Sequence, residues 1–285
     1  MLTFEKLENR YCLTGTLILK QAMHIGSGDS DAEIDSLFVK TQDGRHYIPG
    51  SSFRGALRST VERIIGVLIP NDGSCCLDPG SSLTCPSGNR NKQKQMNDYI
   101  AAPGRKEEDI CQKITAELCQ TCKVFGSPFL SSRVRLADLY PVNNSKPEGQ
   151  KRFGVAIDRD TETAAKGLLF TYQVVEQDER FKFKLWAENM TEENWGVLGI
   201  GLLELLSGHF WIGGKKNASG LGQCQLLENS LRLEYFEGPS GLKKYLTEEK
   251  WPKQENGNGV KHFISSKVKA LLNKTQQPEG EPDHA

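Results

Sequence analysis

Cys119 and Cys122 form a Cys-x-x-Cys pair, a spacing that presents two thiolates to one tetrahedral Zn²⁺. Cys75, Cys76, Cys85 and Cys111 lie upstream as candidates for the other two places. The adjacent Cys75 and Cys76 need not both reach one ion, so Cys76 and Cys85 are the preferred partners. A redox dithiol or plain buried thiols would be the competing readings. A redox pair wants a thioredoxin-like strand before it and a helix after it, and that frame is absent. Structural zinc on Cys76, Cys85, Cys119 and Cys122 is therefore expected. Cys12 and Cys224 fall in strand-like runs and read as core.

Three further groups carry chemistry. Asp29, Asp31, Glu33 and Asp35 crowd a loop just after His24. Clustered carboxylates can hold Mg²⁺ or orient a nucleophile at a phosphodiester, although a solvated acidic loop is the plainer reading. In YIPGSSFRG, Gly50, Ser51 and Ser52 would present backbone N–H groups and hydroxyls at a helix start, a ready anion site. Arg54 and Arg58, four apart and off the apolar stripe, could then face one phosphate track. An ordinary N-cap with two solvated arginines accounts for the same residues. GGKKNASGLG adds Lys215 and Lys216 to a glycine-rich loop, but no helix follows at the offset a nucleotide-binding loop requires.

The elements that must position these groups are legible in the periodicity. Residues 10–23 alternate, with Tyr11, Leu13, Leu17 and Leu19 on one face, as a half-buried strand does. IDSLFVK, the turn TQDG and RHYIPG read as a short hairpin. Phe53, Leu57, Val61 and Ile64 then make a helical stripe, with Ser51 or Ser52 as its N-cap. Residues 66–122 interrupt the pattern as a polar insertion where a metal would compensate for a small core. Strand signals resume at SSRVRLADLYPV, and a protruding loop or hairpin is expected over about 143–166. GLLFTYQVVEQDERFKFKLWAE supplies two alternating strands. A second helix follows, with Thr191 as N-cap and Glu192 and Glu193 in its first turn. Strand, glycine-rich loop and strand close the unit near residue 240. Residues 241–285 look like a polar tail, weakly ordered from about Trp251. Without the insertions the order is β-α-β, β-α-β: an α+β, ferredoxin-like (RRM-like) antiparallel core over 1–65 and 123–240.

Composition narrows the partners. In 285 residues, 36 Lys+Arg balance 36 Asp+Glu, which argues against a polycation coating nucleic acid but leaves room for a local basic groove. No apolar run is long enough for a membrane span, and the charged N-terminus lacks a signal-peptide pattern. Eight cysteines without an export signal point to a reducing, cytoplasmic setting.

Taken in order, HIGSGDSDAEIDSLFV, YIPGSSFRGALRS, CKVFGSPF, VAIDRDTETAAKGLLFTYQVV and GGKKNASGLGQCQL resemble the RAMP superfamily. Within it, the chain looks like the backbone subunit of type III CRISPR effector complexes, with cysteines placed as in the zinc-bearing type III-D variety. The resemblance implies that guide-RNA phosphates are held by Ser51, Ser52, Arg54 and Arg58, with Lys215, Lys216 and Ser219 flanking the same strand. It also implies contacts from His24 and from Arg159, the latter in a thumb hairpin that displaces one base per repeat. Asp35 matches the aspartate used by target-RNA-cleaving members, whose reaction depends on Mg²⁺ or Mn²⁺ and cuts at regular intervals. The implied partners are CRISPR RNA, target RNA and other effector subunits, neighbouring backbone subunits included. A non-catalytic scaffold with the same RNA contacts is the alternative. A metal-independent endoribonuclease would need a general acid/base histidine, for which only His24 and His46 offer themselves.

Overall fold

A computed structural model describes residues 6–69, 85–142, 149–214 and 219–275. The alternating run forms β1 (Asn9–Leu19), the central strand of the main sheet. Tyr11, Leu13, Leu17 and Leu19 point into the core as the period-2 pattern predicts. On one side β1 pairs antiparallel with β5 (Arg180–Glu188), which in turn pairs with β2 (Val134–Leu136). On its other side β1 pairs with β7 (Gln223–Leu226) through Leu17–Leu19 and with β8 (Arg232–Glu237) through Asn9–Thr14. The short β6 (Phe210–Trp211) extends the sheet beyond β7.

Two long helices cover the inner face. α1 (Gly50–Leu68) buries Phe53, Leu57, Val61 and Ile65; α5 (Glu192–Ser207) is capped by a reciprocal Thr191–Asn194 box. The order β1–α1–β2, β5–α5–β7, with β1 and β5 in the centre, is the ferredoxin-like arrangement the sequence predicts. The start of α1 differs in one respect. Its N-cap is Pro49, not a serine, and the Gly50 N–H donates to Asp138 Oδ1 at 2.8 Å. Gly50 lies against the carbonyls of Leu136 and Ala137, where a Cβ would come within 2.5–2.9 Å. Only glycine lets the helix start this close to the strand.

The other departures lie outside this unit. The expected hairpin after Asp35 is present as single bridges, Gly26 with Phe38 and Lys40 with His46, and not as named strands. β3 (Gln150–Ile157) and β4 (Ala164–Val174) form a separate two-stranded sheet. Both its faces carry exposed apolar residues, Phe153, Ile157 and Leu169 among them. In the insertion, α2 (Arg90–Ala101), α3 (Glu107–Glu117) and α4 (Gln120–Phe125) surround a small cluster of their own, including Met96, Ile114, Leu118 and Leu130.

The expected weak order after Trp251 is corrected. α6 (Gly238–Glu248), β9 (Lys253–Asn256) and α7 (Asn258–Thr275) follow β8. Val260, Ile264, Val268 and Leu271 of α7 are buried in the main core. Gly196 and Gly199 of α5 face this stripe, and a Cβ on either would meet Leu271 or Val268 at 2.6–2.7 Å. Their missing side chains let the two helices close together.

Candidate nucleic-acid interface and metal site

Three segments that are far apart in the chain converge beside α1. Ile25 and Gly26 come from the loop after β1, Ser52 and Ser59 from α1, and Gly213 and Gly214 from the start of the glycine-rich loop. They line a groove of about 760 Å³. The exposed Ser52, and Ser59 two turns on, put hydroxyls along one wall. Ser51 is exposed beside Ser52, and the N–H groups of this first turn lack intrahelical partners. Trp211 (39% exposed) stands opposite as a flat apolar surface. The cation in this groove is Arg63, eleven residues after Ser52 and hence on the same helical face. Sequence reasoning passed over Arg63 because it lies beyond the helix-start motif; the spacing 52, 59, 63 was the available signal.

Arg54 and Arg58 face elsewhere. Arg54 donates to the Phe125 carbonyl. Arg58 donates to the Gly126 carbonyl at 3.0 Å, to Cys122 Sγ at 3.3 Å, and to Glu62 at 2.8 Å. Burial, with Arg58 close by, lowers the pKa of Arg54 from its ordinary value. The pair clamps α4 against α1, and neither side chain lines the groove beside Ser52. The reason is packing: α4 supplies carbonyls that terminate on that side of α1.

Cys85, Cys119 and Cys122 bring their sulfurs within 4.8 Å of one another, all buried. Cys85 Sγ and Cys122 Sγ are 3.7 Å apart. That is too long for a disulfide at about 2 Å. It equals the edge of a tetrahedron of sulfurs about 2.3 Å from a central zinc. Three soft donors in a buried cluster can hold a metal ion. Cys76, the fourth expected ligand, and Cys75 lie outside the described residues, whereas Cys111 is outside the cluster. Cys12 and Cys224 are buried in strands, as expected of core thiols.

Asp35 sits on the other side of the Gly26–Phe38 bridge, at the root of the β3–β4 hairpin. Its carboxylate is exposed, yet Oδ2 accepts from the Thr171 N–H at 2.6 Å and lies 2.9 Å from the Thr171 hydroxyl. The Thr171 N–H and then its hydroxyl hold its pKa below the usual aspartate value, against an opposing effect of desolvation that exceeds the help from the Lys151 ammonium. Asp31 is used differently, accepting from the N–H groups of Glu33 and Ile34 to shape the turn. The four acids do not gather into one site: among the described residues, the cysteines are the one group of three potential metal ligands that converge.

His24 is buried. Nδ1 is 2.5 Å from the Gln173 carbonyl, which can only accept, so Nδ1 carries the proton. Nε2 lies 3.1 Å from Ser36 Oγ. His24 thus staples the Asp35 loop to β4, one residue from Asp35 on one side and two from Thr171 on the other. His46 is buried as well. Arg159 is exposed in the turn at the tip of the hairpin, and Ser219 is exposed where the glycine-rich loop ends. Lys215 and Lys216 lie outside the described residues.

An antiparallel ferredoxin-like unit, with a groove between its first helix and a glycine-rich loop and a hairpin rising beside it, defines the class of this α+β protein. The chain belongs to the RAMP superfamily, which it matches over residues 16–225. It is 26% identical over 258 residues to the CRISPR system Cms endoribonuclease Csm3 of Methanocaldococcus jannaschii, covering 84% of this chain and 88% of that protein. Among the described residues, no helix is long and apolar enough to cross a membrane.

Proposed function

We propose that this chain is a backbone subunit of a type III CRISPR effector that holds the guide RNA and cuts the paired target RNA through Asp35. The observation that carries the reading is the setting of Asp35: an exposed carboxylate fixed by Thr171 to the root of a projecting hairpin. A base displaced by that hairpin would leave its phosphate beside Asp35. The similarity to an endoribonuclease along most of both chains supports the same assignment.

Each residue then has a task. Ser51, Ser52, Ser59 and Arg63 bind guide phosphates, Trp211 offers a stacking surface, and Ser219, Lys215 and Lys216 of the glycine-rich loop are further guide contacts. Such contacts hold the backbone and leave sequence choice to base pairing. His24 and Thr171 orient Asp35, a positioning role. A bound Mg²⁺ or Mn²⁺ would supply charge stabilisation at the cleaved phosphodiester. Asp35 would offer it one carboxylate oxygen, and with no group of three acids there among the described residues, target phosphates would complete its shell, the usual manner for Mg²⁺. Zinc, on Cys85, Cys119, Cys122 and a fourth ligand from the Cys75–Cys76 pair, holds the insertion over 66–122 together. Neighbouring copies of the chain and other effector subunits are the protein partners.

The test is cleavage of a guide-complementary RNA by the assembled complex, with and without EDTA, for wild type and Asp35→Ala. The expected result is regularly spaced, EDTA-sensitive cuts that the substitution removes while target binding persists. Wild-type cutting by Asp35→Ala would overturn the assignment.

A further inference from the structure

The outer face of the main sheet, opposite α1 and α5, carries an unusual distribution of charge. Arg180, Lys182 and Lys184 alternate along β5 and are exposed, and the next residue in the row is the half-buried Trp186. Alternate strand residues are about 6.7 Å apart, a spacing comparable with that of successive phosphates in an extended strand. Across β1, Thr16 and Thr14 stand in register with Lys182 and Lys184. Among the described residues, neither Arg180 nor Lys182 has a carboxylate within 4 Å. Lys184 lies over the Trp186 ring at 4.6 Å.

At Trp186 the row runs into a recess of about 340 Å³, walled by Trp186, Tyr245 and Trp251. Arg10 and Arg135 line it too, and both bond Glu188, at 2.7 and 2.9 Å, so the trio keeps one positive charge. Two of its aromatic walls, Tyr245 and Trp251, belong to the C-terminal segment that packs on Phe236 of β8.

We propose that this face is a second RNA surface, in which a single-stranded RNA lays phosphates along Lys182 and Lys184 and places a base in the Trp186–Tyr245–Trp251 recess. A track of cations ending in aromatic walls is the arrangement that suits single strands, because every base has a stacking face. An acidic protein would match the charge but leave the aromatic recess without a function. The hydroxyls of Thr14 and Thr16 beside the lysines can bond a ribose 2′-OH, which favours RNA over DNA. The surface is distinct from the groove at α1, so it stands or falls independently of the function proposed above.

The experiment is fluorescence anisotropy of labelled U6 with the purified full chain, in an Arg63→Glu background that weakens the groove. Lys182→Glu/Lys184→Glu should abolish the remaining binding, with an unchanged melting temperature because both side chains are exposed. The milder Lys182→Ala/Lys184→Ala should reduce the salt slope by about 1.4, the counterion release of two phosphates on a single strand. Trp186→Ala should weaken U6 about tenfold by removing one stacking surface. Unchanged affinity and salt slope in the lysine variants would overturn the proposal and assign the charge to a protein contact. Tighter binding of dT6 than of U6 at this face would overturn the choice of RNA.

Discussion

The cysteine cluster and the Asp35 loop are both places where this chain would meet a metal ion, and they are built in opposite ways. The three sulfurs are buried and gathered within 4.8 Å, with Arg58 donating to one of them. Asp35 is exposed, belongs to no group of three potential ligands among the described residues, and is held from behind by one threonine. A metal that stabilises a fold wants its ligands complete and closed to water. A metal that works on a substrate needs open positions for that substrate. Under the proposed function, one site serves stability and the other chemistry, and substitutions at each should have non-overlapping effects.

The largest effect is expected at the cysteines. Cys122→Ser should lose the metal and unfold the insertion, because in small sites the metal-binding energy, on the order of 10 kcal/mol, is folding energy. Elemental analysis and a thermal melt check it. Loss should extend to α1, since Arg58 bonds both Cys122 and the Gly126 carbonyl. Zinc-free wild type of full stability would remove the contrast altogether.

Asp35→Ala comes next, and its effect should be confined to chemistry. Measured without divalent metal, removing a negative charge beside phosphates cannot weaken RNA binding through electrostatics, so guide and target affinities should hold or tighten slightly. The cut should vanish in a single-turnover cleavage assay. If Asp35→Ala also lost RNA or melted early, the loop would be structural and the comparison with the cysteines would fail.

The difference between the two sites was only half visible in the sequence. Cys-x-x-Cys is a local signal, and the three cysteines that the structure describes do come together. Asp35, by contrast, depends on Thr171, 136 positions away, and on His24 beneath the loop. Periodicity and spacing do not reveal such partners. The same holds for Arg54 and Arg58: their i, i+4 spacing is local, but what they face was decided by α4. β1, α1 and α5 were legible because an apolar stripe or a cap encodes each within a few residues. α7 shows a different failure. Val260, Ile264, Val268 and Leu271 already fall on one helical face, but the lysine-rich composition around them reads as a tail until the glycines of α5 are seen to receive them.

Smaller effects sharpen the comparison. Arg63→Ala should weaken guide binding for all sequences alike and reduce the salt slope by about 0.7, one phosphate contact on a single strand. Arg54→Ala should leave that slope unchanged and cost about 1 kcal/mol of stability through its lost hydrogen bond to Phe125. Binding titrations over a salt series, paired with melts, separate the two arginines. A salt-slope change at Arg54 would return it to the RNA.

The smallest expected change is in the ionisation of Asp35. The Thr171 N–H and hydroxyl stabilise its charged form, so its pKa in the folded chain lies below the ordinary aspartate value. For a depressed carboxylate the linked stabilisation is complete above that ordinary value and is lost as pH falls through the lower, folded one. Above pH 5 the group is therefore ionised throughout. Any pH dependence of cleavage between 5 and 8 should then survive Thr171→Val unchanged in shape. The substitution removes the hydroxyl but keeps the backbone N–H, so the Asp35 pKa should rise only part of the way back, as read by carboxyl ¹³C NMR titration. A lower cleavage rate with that same pH profile is the expected companion result, because the tether acts on where the carboxylate points and not on whether it is charged. A profile displaced toward higher pH would show instead that the tether acts through ionisation.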